Sequence, residues 1–146
     1  MNPKYDNQRK TIRDMDFWNM AKDLNKEIYE TCENKFYAIP ETAEENSEYI
    51  KCKSEYITRI ADEIPGLILK ANSIFPNSDM ELHNRRVLQE VLIGETFDLT
   101  AQFEMVYEKL KIPNSSHNEI FRDIDNFTNK MINWKKATNK MKKYFK

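Results

Sequence analysis

The stretch IFRDIDNFTNKMINWKKATNKMKKYF, Ile120–Phe145, decides the fold. Ile120, Ile124, Phe127, Met131, Trp134, Thr138, Met141 and Phe145 recur every three or four residues. Side chains return to the same face of an α-helix every 3.6 residues, so this spacing predicts one long helix with a single apolar seam. Upstream, Pro113-Asn114-Ser115-Ser116 is a stop signal, and Ser116 with Glu119 has the spacing of a capping box.

The same periodicity continues towards the N-terminus. Asp79 to Lys111 carries Leu82, Val87/Leu88, Val91/Leu92, Glu95, Leu99, Phe103, Val106 and Leu110, with Ser78 or Asp79 as the N-cap. Gly94 inside it is either a tolerated weakness of about 1 kcal/mol or a point where another helix comes close. Glu48 to Ser73 places Tyr49, Cys52, Tyr56, Ile57, Ile60, Ile64, Leu67, Ile68 and Ala71 on one stripe. Pro65-Gly66 interrupts that stripe and predicts a kink near Asp62 to Pro65, or else two short helices. Arg13 to Lys35 has Phe17, Met20/Ala21, Leu24, Ile28 and Cys32 in helical register, with Asp14 or Asp16 as a cap. Phe36 to Ser47 between them reads as a loop holding the acidic run Glu41, Glu44, Glu45 and Glu48 at its edge. Four amphipathic segments of roughly 20 to 33 residues bury their stripes only against one another. The expected fold is therefore all-α, an up-down-up-down antiparallel four-helix bundle with its second helix kinked near Pro65.

Length and composition agree. A chain of 146 residues forms one domain, here spanning 1–146 with residues 1–12 expected as a flexible extension. Gly66 and Gly94 are its two glycines. Hairpins and phosphate-cradling loops need glycine for positive φ or close backbone approach, so this scarcity excludes a Walker loop and a dinucleotide fingerprint. Charges nearly cancel, 23 Lys+Arg against 24 Asp+Glu, and advertise neither a nucleic-acid nor a membrane partner. The polar first ten residues and the short apolar runs Leu67-Ile68-Leu69 and Val91-Leu92-Ile93 predict a soluble cytoplasmic protein without a membrane partner. Cys32 and Cys52 flank the first connection; a reducing compartment makes them free thiols, although a hairpin would bring them near each other.

Catalytic patterns are missing. A di-iron bundle site needs Glu-x-x-His on two helices, whereas Glu81-Leu82-His83 sets the pair on different faces and His117 precedes Glu119. Helical ribonucleases place Arg ahead of a catalytic His; here the order is His83-Asn84-Arg85-Arg86. No Gly-x-Ser-x-Gly occurs, and scattered carboxylates on charged helices are ordinarily a solvated face. No enzyme activity, metal or cofactor is expected.

The strongest local signal is the run of Lys130, Lys135, Lys136, Lys140, Lys142, Lys143 and Lys146, with no acidic residue among them. Lys136, Lys140 and Lys143 share one stripe, and Lys135, Lys142 and Lys146 another, on either side of the Trp134–Met141–Phe145 seam. Such a surface neutralises phosphates, with counterion release as the driving force. It equally complements the negative end of a helix macrodipole. Arg85 and Arg86 are further candidates for nucleic-acid contact. Phe17, Trp18, Phe103, Phe127 and Trp134 fall mostly on core stripes, while Tyr49, Tyr56, Tyr107 and Tyr144 are amphipathic enough for an oligomer interface.

Phe36-Tyr37-Ala38-Ile39-Pro40, the Glu63–Asn72 stretch ending Lys70-Ala71-Asn72, Leu88–Ile112 with Tyr107-Glu108-Lys109-Leu110, and Trp134-Lys135-Lys136 together carry a resemblance. Over roughly Tyr29 to Lys136 the chain resembles the small four-helix-bundle family of accessory variability determinant proteins of diversity-generating retroelements and ribosomal-RNA intervening-sequence proteins. The resemblance implies a homo-oligomer, with a pentameric ring as its form, no enzymatic activity, and RNA or DNA and a reverse transcriptase as partners. Asp98 and Glu104 depart from it, standing where the family pattern leads one to expect arginines. Fold and oligomerisation carry over better than nucleic-acid binding. A protein-interaction or regulatory bundle of phage or mobile-element origin is the alternative.

Overall fold

The computed structural model describes residues 15–145, with the backbone alone described for residues 114–118. Arg13, Asp14, the proposed 1–12 extension, the side chains of Ser116 and His117, and Lys146 lie outside the described residues. The described residues are all-helical, with no other regular structure. Among them five α-helices follow in order: α1 (Asp16–Asn34), α2 (Pro40–Glu45), α3 (Ser47–Ser73), α4 (Asp79–Leu110) and α5 (Asn114–Asn139). Two 3₁₀ turns, Lys35–Tyr37 and Lys140–Tyr144, extend α1 and α5. There is no β-strand among the described residues.

The stretch expected as a loop, Phe36 to Ser47, contains α2. Pro40 at its first turn presets the helical φ and lacks the N–H that would be left unbonded there, while Ile39 before it is extended, as a residue preceding proline must be. Phe36 and Ala43 turn inward to close this end of the core. α3 runs unbroken through Pro65 and is not divided into two short helices. Pro65 removes one backbone hydrogen bond, but Ala61, Ile64 and Ile68 around it are all buried, and their packing holds the helix together.

α4 opens on the Ser78 cap, whose Oγ accepts from the Glu81 N–H at 3.2 Å, while Glu81 Oε1 accepts from the Asn77 N–H at 3.1 Å. It closes on a Schellman turn. Lys111 adopts the left-handed conformation (φ 55°), the Ile112 N–H reaches Tyr107 O at 3.0 Å, and the Ile112 side chain is buried. α5 begins at Asn114, directly after Pro113, so Ser116 lies inside the first turn and is not the N-cap. At the other end of α5 the backbone tightens to 3₁₀ geometry from Lys140, and the shorter repeat turns Tyr144 inward.

α1 packs against α3 and α5, α3 against α4, and α4 against α5. Ile28, Ile50, Ile57, Ile68, Leu92, Leu99, Ile124, Phe127 and Met131 fill the space between them. Phe36, Phe103, Tyr107 and Phe121 form an aromatic cluster with ring centroids 5.8–6.4 Å apart, mostly edge to face. Tyr107 and Tyr144 are thus core residues and not interface tyrosines. No described helix is long and apolar enough to cross a membrane.

α4 departs from the simple seam. Its inner face holds Arg85, Gln89 and Thr96 as well as Leu82, Leu92, Leu99, Phe103 and Val106. Val87, Val91, Phe97 and Met105 lie on its outer face, exposed. Apolar recurrence marks Leu82, Leu92 and Leu99 on this face, while Arg85, Gln89 and Thr96 obey the same helical period without being hydrophobic.

Candidate nucleic-acid interface at the α5 C-terminus

The lysine run divides into two groups. Lys135 Nζ lies 2.7 Å from Glu90 Oε1 and Lys142 Nζ 3.4 Å from Asp79 Oδ1, so these two lysines bridge α5 and its 3₁₀ extension to α4. The hydrogen bond and charge of Lys135 hold the Glu90 carboxyl below the usual carboxylate range. Lys130, Lys136, Lys140 and Lys143 are exposed and form no ion pair among the described residues. The α-helix ends at Asn139, so the expected stripes hold only up to that point.

Lys140 and Lys143 stand at a cavity of about 270 Å³ whose lining includes Phe75, Trp134, Thr138 and Tyr144. Lys143 Nζ sits 5.2 Å from the Tyr144 ring centroid. Phe17 stacks on Trp134 at 4.5 Å, fixing the ring that walls the cavity. Exposed ammonium groups beside aromatic walls are the elements from which single-strand binding surfaces are built.

Arg85, a sequence candidate for phosphate contact, is only 4% exposed. Its Nη1 donates to Ile74 O at 2.9 Å, its Nε to Thr138 Oγ1 at 3.2 Å, and its guanidinium lies 5.2 Å from the Trp134 ring centroid. Gln89 Nε2 donates to the same Thr138 oxygen at 2.8 Å. This network ties α4 to α5 and to the turn after α3, which makes Arg85 an internal strut and takes it off the exposed basic surface. Arg86 is half-buried and adds its charge to the field that lowers Glu90. Neither the network nor the burial of Arg85 was legible in the sequence, although Arg85, Gln89, Leu92 and Thr96 do share a helical period.

A second cluster lies near the start of α5. One carboxylate oxygen from each of Glu27 on α1 and Glu119 and Asp123 on α5 falls within 4.8 Å of the others. Burial pushes the Glu27 carboxyl up to about 8, helped by its hydrogen bond with Asp123 and by the charges of Asp123 and Glu119, against the pull of Arg122. Ionising Glu27 here costs more than in water, because its carboxyl is partly desolvated and faces the acidic Asp123 and Glu119. A hard divalent cation takes oxygen sets of this kind, and among the described residues these three are so grouped. The sequence clue is the spacing of Glu119 and Asp123, four apart on one helix face, with Glu27 next to the buried Ile28.

Cys32 and Cys52 are both free. Burial pushes the Cys32 thiol up to about 12, which leaves it unreactive as a nucleophile. Cys52 is exposed. His83 is exposed on α4. Comparison with protein-family models, with curated proteins and with solved structures finds no match to this chain.

Proposed function

We propose that this chain is a non-enzymatic, oligomeric helical-bundle accessory protein that binds single-stranded RNA or DNA at the C-terminal end of α5, in the service of a reverse-transcriptase-type partner. Within this reading the four long helices run up, down, up and down; their cyclic order of packing and the short links at residues 74–78 and 111–113 support it. The observation that carries the proposal is the exposure of Lys140 and Lys143 at the cavity lined by Phe75, Trp134 and Tyr144, with Lys136 exposed one turn earlier on α5 and none of the three in an ion pair among the described residues. Lys135 and Lys142 are already committed to α4 carboxylates and contribute less.

Binding of an unstructured RNA oligonucleotide, titrated across salt concentrations, tests this. Affinity falls steeply as salt rises, and changing Lys136, Lys140 and Lys143 together to Gln flattens the slope of log K against log salt by about 2. Changing Lys135 and Lys142 flattens it less. No binding at low salt overturns the proposal.

A further inference from the structure

We infer that the cavity at the C-terminal end of α5 holds the last nucleotide of a strand and reads its terminal phosphomonoester. This rests on the nucleic-acid reading of the site proposed above and names the part of the strand that the site takes.

The cavity has a mouth and a floor. Ala137, Lys140 and Lys143 in its lining are exposed, while Arg85 and Thr138 are buried and joined by the hydrogen bond from Arg85 Nε to Thr138 Oγ1. Behind that floor Gln89 is fully buried and donates to the same threonine oxygen. A strand can end in this cavity or pass its mouth, but it cannot run through. At about 270 Å³ the space lies just under the ~300 Å³ at which pockets for drug-sized ligands begin, which leaves room for one nucleotide and not for two.

The aromatic lining agrees with a single occupant. Phe17 and the Arg85 guanidinium already cover the Trp134 ring, at 4.5 and 5.2 Å from its centroid. Trp134 is thus a fixed wall and not a platform for successive bases. The apolar surface that one base meets lies inside, where Phe75 and Met141 join the lining.

Charge decides between an end and an internal nucleotide. Lys140 and Lys143 both stand at the one mouth, and neither forms an ion pair among the described residues. Lys142 between them is turned to Asp79 instead. An internal phosphodiester brings one negative charge, whereas a phosphomonoester carries about −1.5 to −2 at neutral pH and three acceptor oxygens. Two ammonium groups at a mouth sized for one nucleotide match the second charge.

Fluorescence anisotropy of the full chain with one unstructured RNA sequence tests this. The RNA is prepared with a 5′-phosphate, with a 3′-phosphate, with hydroxyls at both ends, and as a closed circle. One phosphorylated strand is expected to bind at least about tenfold more tightly than the hydroxyl-ended strand, and the arm that gains identifies which end enters. The circle binds no better than the hydroxyl-ended strand. Lys140→Gln/Lys143→Gln brings the ratio of phosphorylated to hydroxyl-ended binding close to one, whereas Lys130→Gln, away from the mouth, weakens all four strands alike and leaves the ratio unchanged. Ala137→Phe fills the cavity from an exposed position, so it removes the preference while the helical circular dichroism stays intact. Equal binding of all four strands overturns this inference alone, and no binding at low salt overturns it together with the nucleic-acid reading. A preference for linear strands that ignores the phosphate overturns the role of the phosphomonoester. A phosphate preference that survives both Ala137→Phe and Lys140→Gln/Lys143→Gln overturns the assignment to this cavity.

Discussion

The two ends of the helical assembly are built on different physics. At one end, Phe36, Phe103, Tyr107 and Phe121 interlock as an aromatic core capped by the 3₁₀ turn and α2. About 27 Å away along α4, the corresponding inner positions are Arg85 and Gln89, hydrogen-bonded to Thr138, with a cavity alongside. The surface charge follows: Glu27, Glu119 and Asp123 gather near the aromatic end, and Lys136, Lys140 and Lys143 at the polar one. Both groupings suit the macrodipole of α5, acids at its start and lysines at its finish. The difference teaches that dense packing and exposed positive charge are separated along the molecule. The aromatic end is closely packed, while the polar end has a cavity and lysines that form no ion pair among the described residues.

The largest effect tests the aromatic end. Phe103 is fully buried and contacts three other rings, so Phe103→Ala is expected to cost about 3–5 kcal/mol in urea denaturation, through lost transfer energy and the void left behind. A cost below about 1.5 kcal/mol breaks the comparison, because the aromatic end would then not be the anchor.

The next effect tests the polar end. Arg85→Ala takes the guanidinium donor from Ile74 O, leaves Thr138 Oγ1 with Gln89 as its donor, and opens more space beside Trp134, with an expected loss of about 2–3 kcal/mol. Arg85→Met keeps the packing against Trp134 and removes the buried charge together with its desolvation cost, so it should lose less. If the two variants are equally damaging, hydrogen bonding and not packing dominates at this end.

What the sequence disclosed follows the same division. The α1 seam of Ala21, Leu24, Ile28 and Cys32 and the α5 seam of Ile120, Ile124, Phe127 and Met131 were legible because apolar identity and helical period coincide there. On α4 they part company: Val87 and Val91 are apolar and exposed, while Arg85, Gln89 and Thr96 are polar and buried. Hydrophobicity cannot register a polar residue whose partners lie on another helix, and Thr138 is 53 residues from Arg85. The lysines were legible as a run, but which of them pair with Glu90 and Asp79 depends on how α4 and α5 are set against each other. α2 was missed because six residues are too few to show a period; only Pro40 signalled its start.

The smallest effect concerns the acidic cluster at the otherwise apolar end. Glu27 titrates at about 8 in the folded chain against 4.5 when unperturbed, so between those values the folded state binds more protons than the unfolded state. Stability from this group is complete below about pH 4.5 and is lost as pH rises through about 8. Glu27→Gln removes the titration and keeps a donor for Asp123. The variant is expected to exceed the wild type by about 1 kcal/mol at pH 8, after discounting for the partly solvated site, and to show no such advantage at pH 5. Urea denaturation at several pH values reads the difference directly. A gap that grows with pH means that ionising Glu27 beside the charges of Asp123 and Glu119 is what weakens the contact of α1 with α5. A gap independent of pH would mean that Glu27 is solvated and ionised throughout, and that the aromatic end carries its acids without cost.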